Sequence, residues 1–406
     1  MSLADEINIG RHDSFVEGVP HEMFTRLRHE APVFLHPQAE DDQPVDGYWV
    51  ISRHADVVRA NRQWENFSSG LKGAIMVEDR PDLEMARMII DLDPPEHTRL
   101  RTLISRGFTP KIIRSMDGHY REVTKTIIAD AVAKESFDFV TEIAAELPLV
   151  AIAELLGLPI EDRHKVFTWS NTMIGNSDPE YGGTPDLAQS AMTELYMYAN
   201  ELAAARKIEP RQDIITVLLS AEGDQQLSEH EFDLFVLLLA VAGNETTRNA
   251  LAHGMNAFLQ FPDQWKLVQS DPEKYLDGAI EEILRFATPV MQFRRTATHD
   301  IELHGVTIKA GDAVMLNYMA ANYDETVFTD PLTFDITRSP NPHVAFGGGG
   351  PHHCLGVSLA RLEMRILFEE LLRQVDHFEQ VAPADRLRSN FINGIKHLQV
   401  HAVKMA

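Results

Sequence analysis

The chain has 406 residues and is strongly acidic. Its 37 Lys and Arg face 61 Asp and Glu for a net charge of −24, which argues against general nucleic-acid binding and against docking on an anionic membrane surface. With 44% hydrophobic and 24% charged residues it has the composition of an ordinary globular protein, long enough for several domains or one large one. A single cysteine excludes any intramolecular disulfide and fits a reducing compartment.

Met1 to Asn8 has neither the basic nor the apolar region of a secretory leader, so a cytoplasmic protein is expected. Pro32-Val-Phe-Leu and Tyr48-Trp-Val-Ile-Ser-Arg are rich in β-branched and aromatic residues and predict strands; His54 to Ala60 predicts a short helix. Between Ser68 and Asp91, glycines and Pro81 are interspersed with Leu71, Ile75, Met76 and Val77, apolar side chains that either plug the core or form one wall of a ligand pocket. Asp93-Pro-Pro-Glu then predicts a helix start, with Asp93 as cap. His97 and Arg101 follow on one face of that helix.

Helical spacing runs from Ile112 to Leu156, interrupted around Ser136 to Phe139 and at Pro148. Helices are predicted over 161–174 and 186–206, joined by a Gly/Pro-rich stretch that reads equally as a lid or as an ordinary surface loop. Ser228 and Glu231 form a capping box, and the longest helical pattern runs from there to about Gln260, where Pro262 stops it. Phe235 to Ala242 is apolar on all sides, which predicts burial all round, but it is much shorter than the roughly 20 residues of a membrane span. Polar groups follow at once in Gly243-Asn-Glu-Thr-Thr247. They are costly inside a buried helix unless used or paired, and Thr246 can bond back to an upstream carbonyl. Glu282 and Arg285 share a helix face, Thr288 to Phe293 leads into Arg294 and Arg295, and Asp300 to Lys309 predicts a hairpin. The C-terminal residues 394–403 alternate like a strand.

The cysteine lies in Phe346-Gly-Gly-Gly-Gly-Pro-His-His-Cys-Leu-Gly356, immediately before a helical pattern. A glycine-rich loop lets backbone approach a flat ligand, and a helix start favours thiolate over thiol. By itself a lone cysteine such as Cys354 is more often a small buried hydrophobe than a ligand; a zinc site with His352 and His353 lacks a second ligand cluster. The loop resembles the haem-binding loop of the cytochrome P450 family, Phe-Gly-x-Gly-x-His-x-Cys-x-Gly. His352, Cys354 and Gly356 fall in register, and Phe346 stands one residue further upstream than usual. Gly243 to Thr247 resembles the family's oxygen-activating segment, and the His97/Arg101 and Glu282/Arg285 pairs occur in family order.

That resemblance implies a mainly helical fold with small β-sheets, in one domain spanning residues 1–406. It implies a haem b cofactor ligated by Cys354, with Phe346 and Gly356 against the ring and His97, Arg101, Arg295 and His352 holding its carboxylates. Glu245 and Thr246 would supply protons during O2 activation, and Glu282, Arg285 and Arg338 would lock the core behind the haem. Pocket-facing candidates are Ile75, Met76, Val77, Leu238, Val241, Ala242, Val290, Met291 and Phe293, all apolar. The expected activity is monooxygenation of a C–H bond in a sterol, terpenoid or branched lipid. Electrons would come from a separate ferredoxin and ferredoxin reductase, docking near Arg99, Arg106, Lys111 and Arg114. The alternatives are a peroxide-using or isomerising haem-thiolate enzyme, or a non-catalytic haem sensor. No nucleic-acid partner and no membrane anchor are expected.

Overall fold

Ser228 opens the long helix as its capping box requires. Its hydroxyl accepts from Glu231 N at 3.1 Å, while the Glu231 carboxylate accepts from Ser228 N at 2.8 Å. In this computed structural model, which describes residues 3–37, 47–75, 87–175, 177–182, 184–211, 213–221, 223 and 226–405, the helix runs unbroken over Glu229–Gln260. Its 32 residues extend about 48 Å, enough to join two separate apolar cores. The first half, from Phe232 to Ala240, packs with helices Glu96–Ile104, Glu146–Leu156, Arg163–Ile174 and Pro185–Ile208. The second half, from Ala250 to Phe258, packs with helices Pro110–Val132, Pro272–Ala287 and Val357–Gln374. The polar segment Asn244 to Asn249 falls between the two cores.

Two local expectations are corrected. Pro148 does not break the chain: it is the third residue of Glu146–Leu156, in the first turn, where a missing N–H removes no intrahelical bond. A π-helical turn, Val140–Ala144, precedes it. Asp93 does not cap its helix. Pro95 occupies the cap position without a side-chain bond, and the Asp93 carboxylate turns instead to Ser68, Ser69 and Gly70.

The largest sheet has five strands in the order Val33–His36, Tyr48–Ile51, Ala313–Asn317, Gln292–Ala297 and Phe67–Ser68. Only the Tyr48–Ile51/Ala313–Asn317 pair is parallel, with Trp49 opposite Val314; Arg295 lies opposite Val314 in the antiparallel pair that follows. Ile301–Leu303 and Val306–Ile308 form the expected hairpin, and Gln399–Lys404 pairs with both Val375–Gln380 and Phe137–Asp138. The architecture is mainly helical with small sheets, as expected.

The connection between helices Arg163–Ile174 and Pro185–Ile208 is tied to the C-terminal hairpin. Lys396 Nζ lies 2.7 Å from Glu180 and 3.3 Å from Asp178, and His397 bridges Asp138 at 2.5 Å and Glu180 at 2.7 Å. Glu282 is fully buried and gathers Arg285, Arg338, Asn341 and the backbone of Asp335 around one carboxylate. The remaining Arg285 donors reach the carbonyls of Asn322, Pro331 and Thr333. Asn322 links this cluster forward, because its Oδ1 accepts from Val344 N at 2.7 Å, two residues before Phe346.

Candidate functional site

Four consecutive glycines, Gly347 to Gly350, all have positive φ, between 65° and 105°. This left-handed path absorbs the extra residue of the loop and still brings Cys354 N within 3.0 Å of Phe346 O. Gly350 is also fixed by space, since a Cβ there would lie 2.1 Å from the carbonyl oxygen of Asn61. Helix Val357–Gln374 begins two residues beyond the next leucine, with Gly356 at its cap. Cys354 lies deep in the protein with its sulfur open to a large internal cavity. Burial pushes the Cys354 thiol up, opposed by the backbone N–H groups of Gly356 and Val357 and the charges of Arg101 and Arg361. The helix start therefore favours thiolate, as expected, but burial outweighs it.

The cavity has a volume of about 290 Å³. Cys354, Phe346 and Gly356 line it, as do Phe235, Leu238, Leu239, Ala242 and Thr246 of the long helix. These positions form one helical stripe, so the apolar run is not buried on every side: Leu238 and Ala242 keep accessible surface toward the cavity.

One end of the cavity is cationic. His97, Arg101, Arg295 and His352 all line it, and the His97 and His352 rings lie 4.4 Å apart. Arg101 donates to His353 O at 2.5 Å and Arg295 to Arg294 O at 2.6 Å. Among the described residues neither guanidinium is paired with a carboxylate, and His97 Nδ1 and His352 Nε2 are buried without a hydrogen-bond partner. Burial first, then the Arg101 charge, depresses His97 to about 4; burial, Arg295, His97 and Arg101 hold His352 well below the usual range. Both imidazoles are therefore neutral near pH 7, one nitrogen of each left to be satisfied by a ligand. Sequence reasoning missed Tyr318, which also lines this end and donates to Asn61 Oδ1 at 3.0 Å beside Arg295.

Thr246 faces the cavity and donates to Ala242 O at 2.8 Å, the upstream carbonyl its sequence position suggests. Glu245 points elsewhere. It is 1% exposed, held by Arg248, with Ser170 donating at 3.4 Å, and burial pushes its carboxyl up against both partners. Arg248 continues to Asn171 at 2.7 Å, so the polar segment of the long helix is paired against helix Arg163–Ile174.

Of the expected pocket residues, Leu238, Ala242, Val290 and Phe293 line the cavity. Val241 packs into the helical core instead, and Met291 is 1% exposed in the core beside the large sheet. Ile75 is half-buried and off the wall, where its neighbour Ala74 stands with Ile89 and Ile90; Met76 and Val77 lie outside the described residues. Thr247 is a further wall residue the sequence did not single out.

The family model for cytochrome P450 matches residues 121–402. The chain belongs to the cytochrome P450 family. This P450 is 47% identical over 396 residues to a steroid C26-monooxygenase of Rhodococcus jostii (strain RHA1), covering 96% of this chain and 83% of the relative. It is 40% identical over 384 residues to a methyl-branched lipid omega-hydroxylase of Mycobacterium tuberculosis (strain ATCC 25618 / H37Rv), covering 93% and 90%. Among solved structures, a Mycobacterium marinum cytochrome P450 in complex with pseudoionone superposes with a TM-score of 0.91 at 36% identity, covering 97% of this chain and 98% of that one. The P450 family implies a haem iron cofactor and a monooxygenase. No helix among the described residues is long and apolar enough to cross a membrane.

Proposed function

We propose that this P450 hydroxylates a C–H bond of a sterol or methyl-branched lipid, using O2 and electrons from a separate ferredoxin and its reductase. The observation that carries the reading is the cavity itself: one thiol, a cationic end whose guanidiniums meet no carboxylate among the described residues, and a largely apolar wall elsewhere. Haem b fits that donor set. Arg101, Arg295 and the open nitrogens of His97 and His352 would hold its two carboxylates by charge-assisted hydrogen bonds, and Cys354 Sγ would hold its iron. When bound, the haem supplies the oxidising chemistry.

The chain does the rest. Phe235, Leu238, Leu239, Val290 and Phe293 bind an apolar substrate and exclude water from it. Thr246 Oγ1 holds a proton at the cavity wall. Glu245 serves as the reserve behind it once its carboxylate leaves Arg248 and Ser170. For docking the electron donor, Arg106, Lys111 and Arg114 are exposed, while Arg99 is engaged by Glu231. The resemblance of relatives that act on steroids and methyl-branched lipids supports the substrate class.

The test is a spin-state titration with sterols and methyl-branched fatty acids, followed by NADH-driven turnover with ferredoxin partners. Small polar acids binding tightly, with no response to either lipid class, would sink the substrate assignment. Thr246→Ala is expected to keep haem content and substrate affinity, while product per NADH falls and the missing electrons are recovered as hydrogen peroxide. Glu245→Gln is expected to slow turnover on the order of 10²-fold, the low end for a lost proton-transfer group. Full coupling in Thr246→Ala would make the threonine purely structural.

A further inference from the structure

We propose that Asp91 and Asp93 are positioning residues for substrate. Together they form a clasp that fixes one apolar wall of the cavity to the helix carrying His97 and Arg101. The inference rests on the reading of the cavity as a substrate chamber.

The clasp is built from backbone donors that no sheet satisfies. Strand Phe67–Ser68 ends at Ser68. Beyond it, Ser69 N donates to Asp93 Oδ1 at 2.9 Å and Gly70 N to Asp93 Oδ2 at 3.3 Å, and the Ser68 hydroxyl donates to the same Oδ2. Ser68 Oγ in turn accepts from Gly70 N and Leu71 N, both at 3.0 Å. One carboxylate and one hydroxyl therefore satisfy three successive N–H groups. The fit is close, since a Cβ on Gly70 would stand 3.0 Å from Asp93 Oδ2.

Asp91 holds the other end of the segment. It is fully buried, and its Oδ1 accepts from Ala74 N at 2.9 Å, while Ala74 O accepts from Arg294 N at 2.8 Å. Burying a carboxylate is costly unless such bonds are made, so the two acids have a reason to stay where they are. Ala74, Ile89 and Ile90 line the cavity on either side of this clasp. Asp93 O also accepts from His97 N at 3.0 Å, within the start of helix Glu96–Ile104. The wall that touches substrate and the helix that faces the cationic end are thus one hydrogen-bonded unit. A helix cap at Asp93 would have served stability alone; the carboxylate is turned toward the wall instead.

The experiment uses the haem-loaded protein and its Asp93→Asn, Asp91→Asn, Ser68→Ala and Ser68→Ala/Asp93→Asn variants. The probes are cholesterol and a methyl-branched fatty acid, with dissociation constants read from the spin-state change. Asparagine keeps the shape but replaces one acceptor oxygen by a donor facing another N–H or hydroxyl. Each Asp→Asn variant is expected to weaken binding about tenfold and to raise KM with kcat little changed. Haem content and the reduced carbon-monoxide spectrum should match wild type. The double variant should bind about as weakly as the weaker single one, because both groups belong to one clasp. Asp93→Asn binding within twofold of wild type overturns the inference, as does weakening that merely tracks haem loss or strict additivity of Ser68 and Asp93. Wild-type protein with no spectral response to either probe overturns the chamber reading, and this inference with it; wild-type binding with undiminished variant binding overturns the inference alone.

Discussion

Cys354→Ser is expected to abolish hydroxylation and to remove the strongly red-shifted Soret band that thiolate ligation gives the reduced carbon-monoxide adduct. The fold should survive, because the sulfur opens on the cavity and is not packed in a core. Circular dichroism and the unfolding midpoint should stay close to wild type when both are measured without haem. Cys354→His separates ligand loss from cofactor loss: the imidazole can keep iron bound while the band moves back toward that of a nitrogen ligand. A Cys354→Ser protein retaining both the band and product formation would remove sulfur from the site.

The second large effect is expected at Glu282, which does not line the cavity and reaches the cysteine loop only through its hydrogen-bonded partners. Glu282→Ala leaves two guanidiniums facing each other where one fully buried carboxylate had accepted from Arg285 at 2.7–2.8 Å and from Arg338 at 3.1 Å. Removing one partner from such a buried cluster costs about 3–5 kcal/mol, a large share of the ~5–15 kcal/mol by which a domain is stable. Glu282→Gln keeps the volume but not the charge and should fall between. The measurement is denaturant unfolding together with the fraction of purified chain that takes up haem. Loss of haem uptake should accompany loss of stability, since Asn322 ties Arg285 to the backbone that enters the cysteine loop. A Glu282→Ala protein with unchanged midpoint and full haem uptake would show that the cluster stabilises nothing the loop depends on.

What the sequence revealed was mostly local. The Ser228/Glu231 box, the length of its helix and the Glu282/Arg285 pair depend on residues three or four apart, and their geometry follows from helical spacing. The glycine loop is equally local, since four positive φ angles call for four glycines. Asp93 was harder. An aspartate accepts from whichever N–H groups packing brings to it, and a helix start and a distant loop offer the same donor. Val241 and Met291 show a second limit. Each sits beside a true wall residue, and neighbours in a helix or an extended segment point in different directions, so an apolar run alone does not tell wall from core. Glu245 shows a third: its distance from the cavity wall depends on Ser170 and Asn171, which no spacing connects to it.

The lone thiol on the cavity wall also makes the protein its own accounting device. A bound haem would shield Cys354, and the chain offers no other thiol. The number of thiols per chain that react with a chromogenic disulfide under native conditions is therefore expected to equal the fraction of molecules lacking cofactor, with no calibration of the haem spectrum required. The same economy serves labelling. A cysteine introduced on the surface, for instance at Lys111 or Met197, becomes the single attachment point for a dye or spin label on every loaded molecule, without prior removal of native cysteines.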